Sequence, residues 1–559
     1  MMKQVYFLTL AVLTATVSFA QELSKADSLF ADSVMNANYK PGDPGAVLLI
    51  AKNGNPVFRK AYGMSNLEFS VPNRPENIFR IGSMSKQFTA VCMLKLAQEN
   101  KLKLEDDITK YLPAYNTHGR HITIENLLTH TSGIKEFGGN IGFVRRIGVE
   151  QSDEDLQNTF MKDSLDFEPG TDWSYSNSGY VLSRMIIEKV SGLPFKTYLQ
   201  RNIFDPLNMS HSLVGSNDSI VPNYSSGYDP VGNGKFVRSR YFSWTWPNGA
   251  GGLLTNVDDL LKWDNALYTD KIVKQEWLEK AWKNYVLPNG QSINYGFGWG
   301  STIYKGIQII EHGGGIGGFL SDGLRVPSLH LYIALLSNST IGYPTVLTAA
   351  IALHLLGLTL PQPASVYIDK NTLLNYSGVY SLHRPTEYQK YQYFTILNDT
   401  LFTQTQGYPK EPLLYISKDF FVTQYHNPYY LFHRNRKGDI ISVEYYNLPL
   451  RDDGLSQLEF KTNLPLPTEK KAAIIGVDKL NLLKGKYDFG ANIFIFITVE
   501  GNKIYMKQPG QDKEEIFAED ETLFFSKQTD SKIEFIKNKG LISGMVVINN
   551  QKYDGKKVE

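Results

Sequence analysis

Ser83 and Lys86 stand three residues apart in the run Gly82-Ser83-Met84-Ser85-Lys86, at the start of an apolar stretch. On a helix, positions i and i+3 share a face, so this hydroxyl and this amine can meet. A serine hydroxyl attacks a carbonyl poorly until a base takes its proton, and lysine is such a base only where burial or nearby positive potential lowers its pKa. A helix N-terminus supplies that potential, and its free N–H groups bind a developing oxyanion. The spacing alone does not decide the matter. It recurs at Ser132 and Lys135, where His130-Thr131 and Gly133 read as a turn, and a capped helix with a solvated lysine would be spelled the same way.

Two later segments add the missing groups. Tyr175-Ser176-Asn177 follows the Pro169-Gly170 turn and Trp173. A phenol relays a proton if nearby cations lower its pKa, and an asparagine can hold both a lysine and a substrate amide. The same Tyr-x-Asn spacing at Tyr425 and Tyr445 falls in a β-rich region and reads as structural. The third segment, His312-Gly313-Gly314-Gly315, follows a strand-like run at 306–311. Glycines let backbone approach a ligand closely, so the Gly315 N–H is a candidate for the second half of an oxyanion hole. A plain Gly-rich turn at a strand edge, with His312 bonded to backbone, is the competing reading. The chain has no His-Glu-x-x-His, no phosphate-binding P-loop and no Gly-x-Ser-x-Gly elbow, and His118 and His121 have no evident third ligand, so neither metal nor cofactor is expected.

Positioning these groups requires a particular frame. Residues 46–51 and 57–62 are extended around Asn53-Gly54-Asn55, which predicts an antiparallel hairpin. Apolar spacing predicts helices over 84–97 and 181–199, strands over 306–311, 318–325 and 329–337, and a helix over 346–358. Early and late strands then share one antiparallel sheet, with a helical section inserted between them: an α/β domain closed by both ends of the segment.

Pro361-Gln362-Pro363 marks a boundary. Beyond it, short Tyr-, Phe-, Ile- and Thr-rich segments separated by Gly, Asn and Asp predict all-β, barrel-like structure. This tail also looks duplicated: Gly378 is echoed by Gly485, Phe420-Phe421 by Phe524-Phe525 and Phe432 by Phe535, at offsets of 107, 104 and 103 residues. Two related modules, 366–464 and 476–559, are expected after a hydrolase-sized domain at 21–360. One larger β-domain with chance similarities is the alternative.

The length of 559 residues excludes a single core, and 42% hydrophobic content excludes disorder. With 57 basic and 56 acidic residues there is no general electrostatic drive toward nucleic acid or anionic membrane. Cys92 is the only cysteine, so no intrachain disulfide forms. Lys3, the apolar run at 5–17 and the small residues Ser18 and Ala20 predict a signal peptide over 1–20, hence a periplasmic or secreted protein with no stable membrane anchor after cleavage.

In order and context, Ser83…Lys86, Tyr175…Asn177 and His312…Gly315 resemble the penicillin-recognising serine hydrolases: class C β-lactamases, D,D-carboxypeptidases, D-aminopeptidases and related esterases. Phe79-Arg80-Ile81-Gly82, the run from Leu127 to Gly133, Gly251-Gly252-Leu253 and Tyr295-Gly296-Phe297-Gly298-Trp299 strengthen the likeness, which covers about 25–360. The tail is similar to lipocalin-like modules. The resemblance implies a β-lactamase/transpeptidase-like fold with a helical subdomain. It also implies an acyl-enzyme on Ser83, Lys86 as base, Tyr175 passing protons to the leaving group and later activating water, an oxyanion held between the N–H groups of Ser83 and Gly315, and Asn177, His312 and Gly314 at the substrate. Its substrate would be a small molecule or peptide, including peptidoglycan-derived ones. His312 departs from the lysine of the antibiotic-hydrolysing and cell-wall members, which removes a permanent cation from carboxylate recognition. A catalytically idle binding protein of the same fold is the alternative.

Overall fold

The structure is a computed structural model that describes residues 22–559 apart from 140–145, 162–163, 233, 384, 386–387, 425–427, 447–457, 469, 491–492, 509–511, 530 and 550. The expected signal segment and Tyr425 lie outside the described residues.

Strand β1 (Ala46–Lys52) has both faces covered: Val47, Leu49 and Ala51 join one hydrophobic cluster, and Ala46, Leu48 and Ile50 join another. Asn53 and Gly54, both at positive φ (50° and 77°), turn the chain into β2 (Asn55–Tyr62), a conformation that Asn-Gly adopts at little cost. Strands β3 (Gly300–Tyr304), β4 (Ile307–Ile316), β5 (Phe319–Val326) and β6 (Leu331–Ser337) complete an antiparallel sheet of order β3-β4-β5-β6-β1-β2. The expected sharing of one sheet by early and late strands is therefore observed. Its seam is locked where the Ser337 hydroxyl donates to the Gly45 carbonyl at 3.0 Å, across 292 residues.

Helices α1 (Lys25–Asn38) and α5 (Pro344–Leu355) cover the Ala46 face. Helices α2 (Ser85–Gln98), α3 (Asn177–Ser191) and α4 (Val257–Ala266) cover the Val47 face. Two expectations need correction. The helix expected over 181–199 is interrupted: α3 stops at Gly192, which is left-handed at φ 69°, and a new helix, Phe195–Leu199, starts behind Pro194. The residue before a proline is driven out of the helical region, so the pair Gly192 and Pro194 breaks what the apolar spacing alone reads as continuous. The strand expected over 306–311 runs on through the glycines to Ile316, and the turn comes at Gly317-Gly318. Pairing with β5, Gly315 opposite Leu320, overrides the weak strand preference of glycine.

The tail forms two closed eight-stranded barrels, the first from Gly378–Ser381 to Leu458–Lys461 and the second from Gly485–Asp488 to Lys552–Lys557. Their equivalence is visible atom by atom. The Tyr380 hydroxyl donates to the Tyr376 carbonyl at 2.9 Å and the Tyr487 hydroxyl to the Leu483 carbonyl at 2.7 Å. Phe421 and Phe432, edge to face in one core, correspond to Phe524 and Phe535 in the other, so the paired phenylalanines align one residue away from the Phe420-Phe421 to Phe524-Phe525 echo read in the sequence. The first barrel is seated on the hydrolase-like domain, with Val422 and Tyr429 buried in the cluster that holds Tyr304 and Ile309.

Candidate active site

The nucleophile turn is built by a close approach of two backbones. Gly82 has φ 49° and opens a short 3-10 turn, Gly82–Met84, that leads into α2. A Cβ on Gly82 would lie 2.7 Å from the Gly315 nitrogen, and one on Gly314 would lie 2.0 Å from the Ile81 carbonyl oxygen. Both positions must therefore be glycine if β4 is to lie against the turn. Ser321 ties the contact by donating to the Ile81 carbonyl at 2.8 Å. Beyond Gly300, which sits opposite Glu311, strand β3 no longer pairs with β4, so the 312–316 edge is free of a neighbour on that side among the described residues.

Lys86 is fully buried, and its Nζ lies 3.1 Å from Ser83 Oγ, 2.6 Å from Asn177 Oδ1 and 2.9 Å from the Ala250 carbonyl oxygen. A neutral amine has two N–H bonds and one lone pair. Asn177 and Ala250 offer acceptors for both N–H bonds, which directs the lone pair at the Ser83 hydroxyl. Burial pushes the Lys86 pKa down to about 7, against an upward pull from the Glu136 charge. The positive environment proposed for the base is thus secondary, and desolvation dominates.

Tyr175 is half-buried, its ring 4.7 Å from Lys86 Nζ, and it lines the cleft beside Ser83. The lowering by nearby cations that the sequence reading set as a condition is not what the site provides: desolvation raises the phenol well above its ordinary value, and the neighbouring Ser83 offsets this only in part. Tyr175 is held as a neutral phenol, able to donate a proton and poorly able to act as a phenolate base. Asn177 opens α3 behind the N-cap Ser176, whose side chain accepts from Gly179 N–H at 3.3 Å. The ring nitrogens of His312 are both engaged: Nδ1 is 2.6 Å from the Gly313 carbonyl and Nε2 is 2.8 Å from the Tyr295 hydroxyl. The carbonyl can only accept, so Nδ1 carries the proton and Nε2 accepts from Tyr295. Burial, with Lys86 nearby, pushes His312 down to about 3, so it is a neutral wall of the site.

The structure thus brings Ser83, Lys86, Tyr175, Asn177, His312, Gly314 and Gly315 together. Ser83, Tyr175, His312 and the three glycines line an open cavity of about 350 Å³. Ser132 and Lys135 form no such pair: Ser132 caps the Ile134 N–H and the Lys135 carbonyl accepts from Ser178. Among the described residues no cluster of three His, Cys, Asp or Glu could hold a metal ion.

Three participants were not singled out in the sequence. Glu136 accepts from the Asn177 backbone N–H at 2.5 Å and from its Nδ2 at 3.0 Å. His130 accepts from the Ser176 N–H at 3.0 Å through Nδ1 and lays its ring 4.3 Å from that of Tyr175. Desolvation holds it far below its ordinary pKa, hence neutral. Tyr343, left-handed at φ 36° and mostly exposed, forms an aromatic rim to the cavity. Only His130 gave a signal, through the flanking run from Leu127 to Gly133.

An antiparallel sheet between helical layers, with a serine and a neutralised lysine at the head of a buried helix, defines a serine hydrolase of β-lactamase/transpeptidase-like fold. Residues 31–357 match the family described as Beta-lactamase, more than half of the chain, and the chain belongs to that family. Penicillin-binding protein 4* of Bacillus subtilis (strain 168) is 30% identical over 310 residues, which is 52% of this chain and 67% of that protein. Protein flp of Staphylococcus aureus (strain MRSA252) is 28% identical over 314 residues, 55% of this chain and 62% of flp. The match therefore spans about two thirds or slightly less of these relatives. Among solved structures, the octameric penicillin-binding protein homologue from Pyrococcus abyssi is similar at a TM-score of 0.54 and 25% identity, over 78% of this chain and 99% of that one. A D-stereospecific amidohydrolase from Streptomyces sp. is similar at 0.51 and 25%, over 58% and 98%.

Proposed function

We propose that this protein cleaves an amide or ester bond through an acyl-enzyme on Ser83. The observation that carries the reading is the Lys86 amine, buried, held by two acceptors and 3.1 Å from the Ser83 hydroxyl. Lys86 takes the hydroxyl proton as Ser83 Oγ attacks the carbonyl carbon. The N–H groups of Ser83 and Gly315 receive the oxyanion, at the head of α2 and on the open edge of β4. Tyr175, a neutral phenol beside Ser83, hands its proton to the departing nitrogen or oxygen and regains one from the Lys86 ammonium, which returns Lys86 to the neutral amine. Lys86, with a pKa of about 7, then serves as the base that activates the hydrolytic water.

The substrate is a peptide or small molecule, with D-amino acid amides and peptidoglycan-derived peptides first in line. This is supported by the D-stereospecific amidohydrolase and the penicillin-binding proteins among its relatives. The export expectation supports an envelope or extracellular substrate, and no helix among the described residues is long and apolar enough to cross a membrane.

The test is purified protein against a chromogenic ester, a D-amino acid p-nitroanilide and a β-lactam, with labelling by a serine-directed acylating probe. Turnover and labelling that both vanish in Ser83→Ala are expected. Turnover or labelling that persists in that variant overturns the assignment, and a folded wild type with neither would be an idle binding protein.

A further inference from the structure

The first barrel encloses a second cavity, of about 510 Å³, outside the catalytic cleft. The barrel floor is apolar, built from Phe394, Leu401, Leu413, Phe432 and Val443. Two or four positions along the same strands, or directly across from Val443, the lining turns polar: Gln392, Thr403, Thr405, Glu411, Tyr430 and Glu459. The Gln392 amide is fixed between two threonines, donating to Thr403 at 2.5 Å and accepting from Thr405. Glu459 is only 4% exposed, and its Oε2 has no hydrogen-bond partner among the described residues. A barrel that served only its own stability would not place a carboxyl there, because an unsatisfied buried polar group costs free energy.

The duplicate module shows the alternative. Lys461 pairs with Tyr380 as Lys557 pairs with Tyr487, so Glu459 corresponds to Gly555. At Gly555 the space is already filled: a Cβ would meet the Phe489 ring at 2.6 Å. One barrel closes this position with an aromatic ring, and the other leaves it open with a carboxyl.

We propose that the cavity of the first barrel binds a small hydroxyl-bearing molecule that carries an ammonium group, with Glu459 as the ammonium's partner. The described lining contains two carboxyls, Glu411 and Glu459, and neither lysine nor arginine, which disfavours an anion. Glutamine and threonines disfavour an apolar ligand and supply partners for hydroxyls. Burial raises Glu459 to about 8, so the empty site avoids a buried charge by keeping its proton. When an ammonium ion enters, that proton leaves to solvent and the carboxylate pairs with the cation, with no other bond made or broken. Glu411, Tyr408, Tyr430 and Tyr445 are the other titratable groups lining this pocket, and His383 sits at its rim, 3.6 Å from Asp172 of the hydrolase domain.

The experiment is isothermal titration of the full chain at pH 7 with N-methyl-D-glucamine, which is charged, and with sorbitol, which keeps the hydroxyls without the charge. Two buffers of different ionisation enthalpy report the proton count. Saturable binding of the amine at least tenfold tighter than sorbitol, with release of close to one proton, is expected. Glu459→Gln is expected to erase both the preference and the proton release while leaving ester turnover unchanged. Absent or equal binding of the two probes, or no proton release by the wild type, overturns the proposal. So does unchanged preference in Glu459→Gln. The wild-type proton count stands even if that variant folds poorly.

Discussion

Glu136 grips Asn177 at two points, its backbone N–H at 2.5 Å and its side-chain Nδ2 at 3.0 Å. An asparagine amide can sit either way round, and this second bond fixes Nδ2 toward the carboxylate and Oδ1 toward Lys86. Glu136 is thus a positioning residue for the base, and it also raises the Lys86 pKa through space. The free wild-type enzyme should lose kcat/KM as pH falls through about 7, because protonated Lys86 cannot accept the Ser83 proton. Glu136→Gln should lower kcat by roughly tenfold to a hundredfold and move that acid limb to lower pH. A pH–rate profile checks both, since a purely structural defect would leave the limb in place.

Neutral His312 predicts indifference to substrate charge. Its ring is locked between Gly313 and Tyr295 and pushed down to about 3, so it offers no cation across the working pH range. Converting the terminal carboxylate of a peptide substrate to an amide should change kcat/KM by less than about threefold. His312→Lys should favour the carboxylate form by roughly tenfold, the scale of one charge-assisted hydrogen bond. Paired kinetics on the two substrates give the answer.

Gly314 tests the close approach of β4 to the nucleophile turn. An added methyl would sit 2.0 Å from the Ile81 carbonyl oxygen, and backbone cannot rotate away as a flexible side chain can. Gly314→Ala should cost about 1–3 kcal/mol of stability and most of the activity, because Gly315 moves with it. Gly306→Ala has open space around it and serves as a thermal-melt control for a glycine at positive φ alone.

Beneath α5, Asp322 is buried and accepts from the Thr348 hydroxyl, with Glu311 as its electrostatic neighbour. Burial raises both carboxyls above their ordinary range. The folded state then holds protons that the unfolded chain has released. This contribution to stability is complete below the ordinary carboxylate range and is lost as pH rises toward and past neutrality. Asp322→Asn should therefore gain on the wild type by roughly 1 kcal/mol between pH 5 and pH 8, read as a widening gap in Tm.

The parts of the site legible in the sequence were those whose contacts are local or whose chemistry is distinctive. Ser83 and Lys86 meet because i and i+3 share a helical face, and the duplicated Gly-Tyr and Phe-Phe landmarks survive as two barrels. Glu136 was invisible because its bond to Asn177 spans 41 residues and depends on where α3 begins. The raised Tyr175 pKa is not legible in the sequence, because desolvation depends on which groups cover the ring. The glycine run was read as ending a strand, since glycine alone disfavours one. What holds it extended is the partner strand and the backbone packed at van der Waals distance.

The lock between Gly45 and Ser337 fixes the order in which this protein can become active. The two strands that meet at this seam, β1 and β6, are separated by nearly the whole hydrolase domain, so a growing chain cannot close the sheet until β6 has arrived. Local contacts form early and distant ones late. Gly315 reaches Ser83 only when that closure happens, and so the nucleophile remains without its full oxyanion hole, and inert toward bystanders, until its own domain is finished.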